Sequence, residues 1–173
     1  KALFLVGDVF DFWWEWKYVC PRGFIRFLGK LAEFHDVYNI PVHFFIGNHD
    51  IWIFDYLPAE TGIILHKKPL ETEIDGKKFF ISHGDGLGPY DKGYRVLNKI
   101  FNCRVLQWWY SRLHPNLAFS LAYAWSRNNR KKHSNPRFMG EDKEWLVLYS
   151  KTLLATKSID FFIYGHRHIP TDI

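Results

Sequence analysis

Asp8, Asn48, His83, His166 and His168 are the residues of this chain best suited to chemistry, and each follows closely on a short apolar run. Residues 2–6 lead into Gly7-Asp8, residues 42–46 into Gly47-Asn48-His49-Asp50, residues 78–81 into Ser82-His83-Gly84-Asp85, and residues 161–164 into Gly165-His166-Arg167-His168. Carboxylate, amide oxygen and imidazole together make a hard-to-borderline ligand set, suited to Mn²⁺, Fe²⁺ or Zn²⁺ and not to a soft metal. No cysteine lies in any of the four segments, which argues against a thiolate zinc site. The two oxygens of Asp8 could bridge a pair of ions, and ions about 3.5–4 Å apart are a common device for hydrolysing phosphate esters.

These residues act together only if the chain gathers them. Each apolar run has strand length and is rich in branched and aromatic side chains, and the runs are nearly continuous instead of alternating. That pattern predicts strands covered on both faces, as in layered α/β proteins. Phe24, Phe27, Leu28, Leu31 and Phe34 recur at helical spacing within residues 22–37. The opening thus reads strand, loop, helix, strand, and a right-handed crossover makes those two strands parallel. Loops at the carboxyl ends of parallel strands open into one crevice, which would bring the five residues together. Residues 71–78 read as a hairpin turning at Asp75-Gly76. From about residue 91 to 127 the spacing of Val96, Leu97, Ile100, Phe101, Val105, Leu106 and Leu113 is helical, and Pro115 separates this stretch from a second one through Leu117, Leu121 and Trp125. A basic, Asn-rich segment follows at 127–136, and a last helix is expected over 141–155.

The four segments, in this order, resemble four motif blocks of the calcineurin-like metallophosphoesterase superfamily. The resemblance spans nearly the whole chain and implies an α/β fold: a layered β-sandwich flanked by helices, forming one domain over 1–173 with a helical cap inserted at about 91–135. It implies two divalent ions, Mn²⁺ first among them. Asp8 would bridge both; Asn48, His83 and His166 would complete one site, and His168 would serve the other. His49 would donate a proton or hydrogen bond near the leaving group, held by Asp50, while Asp11 would shape the Asp8 loop. The superfamily's first block, Asp-x-His, has no counterpart ahead of Gly7, and relatives continue beyond the last block. The resemblance therefore implies a chain trimmed at both ends, with one complete metal site and little or no activity in this form.

Within the superfamily, Gly84-Asp85-Gly86-Leu87-Gly88-Pro89-Tyr90-Asp91 followed by an aromatic helical stretch, together with Asp11-Phe12-Trp13, is similar to the UDP-2,3-diacylglucosamine hydrolases of lipid A biosynthesis. By that likeness Asp91, Tyr94 and Arg127 would contact the substrate, and Leu97, Phe101, Trp108, Trp109, Leu117 and Leu121 would form a groove for its acyl chains. His49 departs from this group, many of whose members carry Arg there. The likeness implies a lipid-linked nucleotide as partner, no nucleic acid, and a cytoplasmic protein resting on the inner face of the bacterial inner membrane.

Composition is consistent with this reading and excludes several others. The chain has 173 residues, 47% hydrophobic and 24% charged, which rules out a disordered or collagen-like polymer. Two cysteines make no disulfide framework and fit a reducing compartment. A net charge of +5 favours an anionic partner. A phosphoesterase or nuclease for soluble nucleotide or nucleic acid would share the four segments but would not need the tryptophan-rich helices, and a binding module that has lost catalysis would not be expected to keep all four segments intact.

Overall fold

A computed structural model of the chain describes residues 1–88, 92–132 and 138–173. Substrate residue Asp91, expected from the sequence, lies outside the described residues. Strands β1 (Leu3–Leu5), β2 (Val42–Phe45) and β3 (Ile64–His66) form a wholly parallel sheet in that order, with Leu3 opposite Val42 and Phe44 opposite Leu65. The crossover from β1 to β2 is helix α1 (Ile25–Asp36). Its Leu31 is buried and joins Val42, Phe44, Phe10 and Trp13 in the main hydrophobic cluster. Phe24, Phe27, Leu28 and Phe34 pack on that cluster, so the predicted helical stripe is the face that meets the sheet.

A second sheet holds β4 (Leu70–Ile74), β5 (Lys77–Ser82) and β6 (Phe161–Tyr164). β4 and β5 are antiparallel, joined through Asp75 and Gly76, both with positive φ (51° and 75°), as the two-residue hairpin turn demands. β5 and β6 are parallel, with Ser82 opposite Tyr164. Helix α6 (Trp145–Leu154) lies against this sheet through the Tyr149–Phe80 ring contact and a 2.9 Å hydrogen bond between the Ser150 and Tyr164 hydroxyls. The expectation that all four runs are covered on both faces fails for β6. Phe162 and Tyr164 are half-buried, but Phe161 and Ile163 are exposed, so this strand alternates.

Between β5 and β6 the chain forms α3 (Lys92–Phe101), α4 (Arg104–Ser111) and α5 (Pro115–Lys132). Pro115 opens α5, at the position where a missing N–H removes no intrahelical bond. The segment is tied to the β2 end by Trp52, whose indole N–H donates to the Phe101 carbonyl at 3.0 Å. No helix among the described residues is long and apolar enough to cross a membrane.

One tie was invisible in the sequence. The short helix α2 (Tyr56–Thr61) begins on the side chain of Glu15. Its Oε2 accepts the backbone N–H groups of Phe54, Asp55 and Tyr56 at 2.8–3.1 Å; its Oε1 accepts those of Leu57 and of the Trp13 indole, both at 3.1 Å. One carboxylate thus satisfies the open donors of a helix start and fastens the loop after β1 to the loop after β2. Glu15→Gln swaps one acceptor oxygen for an NH₂ group among these donors. Urea unfolding is expected to show a loss of about 2–4 kcal/mol, the scale of several charge-assisted bonds replaced by unmet donors. A loss below about 0.5 kcal/mol would refute this role.

Candidate active site

The loops after β1, β2, β5 and β6 meet where the two sheets adjoin. Asp8 and Asn48 come from the first sheet, His83 and His166 from the second. Asp8 Oδ2 lies 3.2 Å from His83 Nε2; His166 Nδ1 lies 3.2 Å from His83 Nε2 and 2.8 Å from Asn48 Oδ1; Asn48 Oδ1 is 3.4 Å from His83 Nε2. The Asp8, His83 and His166 ligand atoms fall within 4.8 Å of one another.

Two glycines make this approach possible. Gly7 has φ 78°, and a Cβ there would collide with the His83 ring. A Cβ on Gly47 would collide with Asp8 Oδ1. Backbone and side chain tie the junction as well. Gly165 N–H donates to the His83 carbonyl at 3.0 Å, which extends the β5–β6 pairing, and His83 Nδ1 sits 2.9 Å from the Val6 carbonyl, which bridges the two sheets. A carbonyl only accepts, so Nδ1 carries the proton and the Nε2 of neutral His83 turns a lone pair towards Asp8, Asn48 and His166.

The electrostatics follow from this crowding. For His83, burial favours the neutral ring, but the hydrogen bond and charge of Asp8, then the Val6 carbonyl, outweigh it and raise the pKa. For Asp8, burial pushes upward, and the His83 contact together with the His49 N–H bond (2.9 Å to Oδ1) brings the net shift below the usual range. Carboxylate, amide oxygen and an imidazole lone pair thus converge on one point, and a cation is what such a set requires. The donor chemistry fits a divalent metal held by Asp8, Asn48, His83 and His166.

The remaining expected residues fall in several places. His168 is exposed, with φ 51°, and stands outside the cluster. His49 does not lean on Asp50 as expected: its Nδ1 lies 3.0 Å from the Asp11 main-chain carbonyl, which fixes that nitrogen as the donor, and the residue lines the adjoining cavity. Asp50 is fully buried behind the loops, where Oδ1 accepts Gly47 N–H at 2.6 Å and Oδ2 accepts Val9 N–H at 2.9 Å. Burial pushes its carboxyl up to about 6; the Gly47 bond opposes that, the charge of Asp8 adds to it, and the Val9 bond opposes it again.

Beside the cluster lies a cavity of about 430 Å³. Asp11, Asn48, His49 and His166 form its polar end; Phe12, Trp14 and Trp52 form one wall, and Leu97, Phe101, Leu121 and Trp125 another. Tyr94 also lines it, its ring 6.4 Å from that of His166. Arg127 is exposed and is not in the lining, whereas its neighbour Ser126 is. Trp108, Trp109 and Leu117 do not line it either, and are 51, 63 and 51% exposed. The reason in α4 is helical spacing: Leu106, Gln107 and Tyr110 face the cavity, which turns residues 108 and 109 the other way. Trp52 and Trp125 were missed as wall residues, because periodicity marks a buried stripe without showing what it borders.

A family model described as calcineurin-like phosphoesterase matches residues 1–170. The chain belongs to that family. Among relatives of this phosphoesterase is a UDP-2,3-diacylglucosamine hydrolase from Porphyromonas gingivalis, 36% identical over all of the chain and 71% of the relative. Proteins of the same name from Aeromonas hydrophila and Vibrio vulnificus are each 26% identical, over 98% of the chain and 68% of the relative.

Asp50 meets its two N–H donors with two acceptor oxygens, and an asparagine in its place would offer one. Asp50→Asn is expected to weaken Mn²⁺ binding roughly 10–100-fold by loosening the Asp8 and Asn48 loops. Titration of free Mn²⁺ would check this, and unchanged affinity would show that Asp50 does not position the ligands.

Proposed function

We propose that this phosphoesterase hydrolyses the diphosphate bond of UDP-2,3-diacylglucosamine, releasing UMP and 2,3-diacylglucosamine 1-phosphate. The observation that carries the reading is the aromatic and aliphatic cavity that opens on the Asn48–His49–His166 end of the ligand cluster. A phosphate seated at the cluster has an apolar slot beside it, which a soluble nucleotide would leave wet. The names of the relatives agree with this substrate.

The cofactor reading is two divalent ions, Mn²⁺ first: Asp8, Asn48, His83 and His166 would hold one, and Asp8 with His168 would contribute to holding the other. Such ions would supply acidification of a water and neutralisation of phosphate charge. The chain's own residues do the rest. His83, locked by Val6, presents a fixed lone pair. His49, oriented by the Asp11 carbonyl, lines the cavity, where its Nε2 would give a hydrogen bond or proton to the departing oxygen. Tyr94 borders the sugar end, with Asp91 and Arg127 as further contacts for the phosphosugar. Phe101, Leu121 and Trp125 hold the acyl chain away from water.

Membrane contact is part of the proposal. Residues 92–132 contain nine Lys and Arg and no Asp or Glu. The same helices expose Trp108, Trp109 and Val105. Indole rings beside a wholly basic segment suit an anionic lipid surface, and they place the cavity near the source of a lipid substrate.

Two measurements test these readings. Leu121→Glu puts a charge in the acyl wall. It is expected to cut UMP release from the diacyl substrate at least about tenfold while sparing hydrolysis of bis(p-nitrophenyl) phosphate, both assayed with Mn²⁺ on the full-length protein. Equal losses on both substrates would count against the lipid groove. For the membrane, Trp108→Ser with Trp109→Ser is expected to lower cosedimentation with phosphatidylglycerol vesicles roughly tenfold, without changing the far-ultraviolet spectrum. Undiminished binding would remove α4 from the contact.

A further inference from the structure

Arg167 stands between two histidines and takes no part in the chemistry above. Its guanidinium pairs with the side chain of Glu144: Nε donates to Oε1 at 2.8 Å and Nη2 to Oε2 at 3.3 Å, a two-pronged pair. Glu144 is buried at 5% exposure, so its charge requires this partner. It is also the residue on which α6 begins. Its N–H bonds to the Gly140 carbonyl at 2.9 Å, and its own carbonyl accepts Leu148 N–H at 3.0 Å.

The turn that Arg167 occupies is unfavourable on its own. His166 and His168 both have left-handed backbone, φ 61° and 51°, which side-chain-bearing residues adopt at a cost. Arg167 N–H closes back on the Gly165 carbonyl at 2.7 Å. Such a turn persists only where its surroundings hold it. α6 supplies the hold: it is fixed to the second sheet at Tyr164, two residues before His166, and it grips Arg167, one residue after it. The Trp145 ring, next to Glu144, meets the His166 ring edge to face at 6.1 Å.

We infer that the Glu144–Arg167 ion pair is the positioning element for His166, clamping the strained turn so that its imidazole stays in ligand geometry. The pair acts through the backbone and touches neither metal nor substrate. The inference rests on the reading of Asp8, Asn48, His83 and His166 as a metal site. Its consequence is that metal affinity depends on a charge pair on the far side of the turn, and on a planar fork that lysine cannot reproduce.

The test is Mn²⁺ titration, read as free Mn²⁺ by electron paramagnetic resonance, on the unaltered chain and on Glu144→Gln and Arg167→Lys. Both variants are expected to bind Mn²⁺ at least about tenfold more weakly, the range found when residues behind metal ligands are changed. The swap Glu144→Arg with Arg167→Glu, which restores opposite charges, is expected to recover part of the loss. Arg167→Lys keeps the charge and serves as the mild variant should Glu144→Gln not fold. Affinities within twofold of the unaltered chain, alongside a lowered melting temperature, would overturn the inference and leave an ordinary structural ion pair. A chain that binds no Mn²⁺ at all, before any substitution, would instead defeat the metal-site reading, and this inference with it.

Discussion

Ligand-type atoms from two different sheets are held within hydrogen-bond distance of one another, and the rest of the site depends on that convergence. Asp8 and Asn48 arrive from the parallel sheet, His83 and His166 from the mixed one. Left alone, a carboxylate, an amide oxygen and an imidazole lone pair would separate or take up a proton. The raised affinity of His83 for a proton, driven by Asp8 against the effect of burial, is the same pull that a metal cation would satisfy. The set is held partly by its own contacts, the Asp8–His83 pair and the 2.8 Å His166–Asn48 contact, and partly by supports around it.

Two of those supports have a common form: a carboxylate that takes N–H donors from a loop, buried at Asp50 and half-buried at Glu15. Asp50 ties the Asp8 loop to the Asn48 loop through Val9 and Gly47. Glu15 gathers five donors and joins the aromatic loop after β1 to the start of α2. His83 is fixed by a neutral carbonyl, Val6, which decides its tautomer. The carboxylates hold backbone and Val6 holds the His83 ring, so the Asp8 and Asn48 loops and the His83 imidazole are oriented from outside the ligand set, the condition under which a metal site loses least on binding.

The sequence made the strands and ligands legible because both are written locally. An apolar run followed by a glycine and a ligand residue names a strand end, and the run at residues 42–46 with Gly47-Asn48 has its counterpart in β2 and its loop. Asp75-Gly76 foretold its turn for the same reason. The partners of charged residues were not legible, because they are set by distance in space. Glu15 reaches residues about forty positions away, and Glu144 meets Arg167 across twenty-three. Asp50 was read as a prop for His49, its sequence neighbour, whereas Asp11, thirty-eight residues away, supplies that contact. The pair Trp108 and Trp109 shows the same limit. Helical spacing says that adjacent residues diverge, but only the packing of Leu106 and Tyr110 says which face the cavity takes.

The placement of cavity and charge bears on how a lipid substrate would be divided between them. The cavity's polar end is made by residues of the strand-end loops and its apolar walls largely by helices α3 to α5, so a ligand spanning both touches two structural units at once. The loops after β1 and β2 are pinned by the carboxylates of Asp50 and Glu15. The helices, by contrast, meet the loops through aromatic edges and the Trp52 bond, and much of their apolar surface stays exposed. Burial against an acyl chain would complete packing that the helices lack by themselves. Rigidity at the phosphate and incompleteness at the lipid thus suit one reaction: the reacting bond needs fixed geometry, while the chain needs a surface that gains by closing on it.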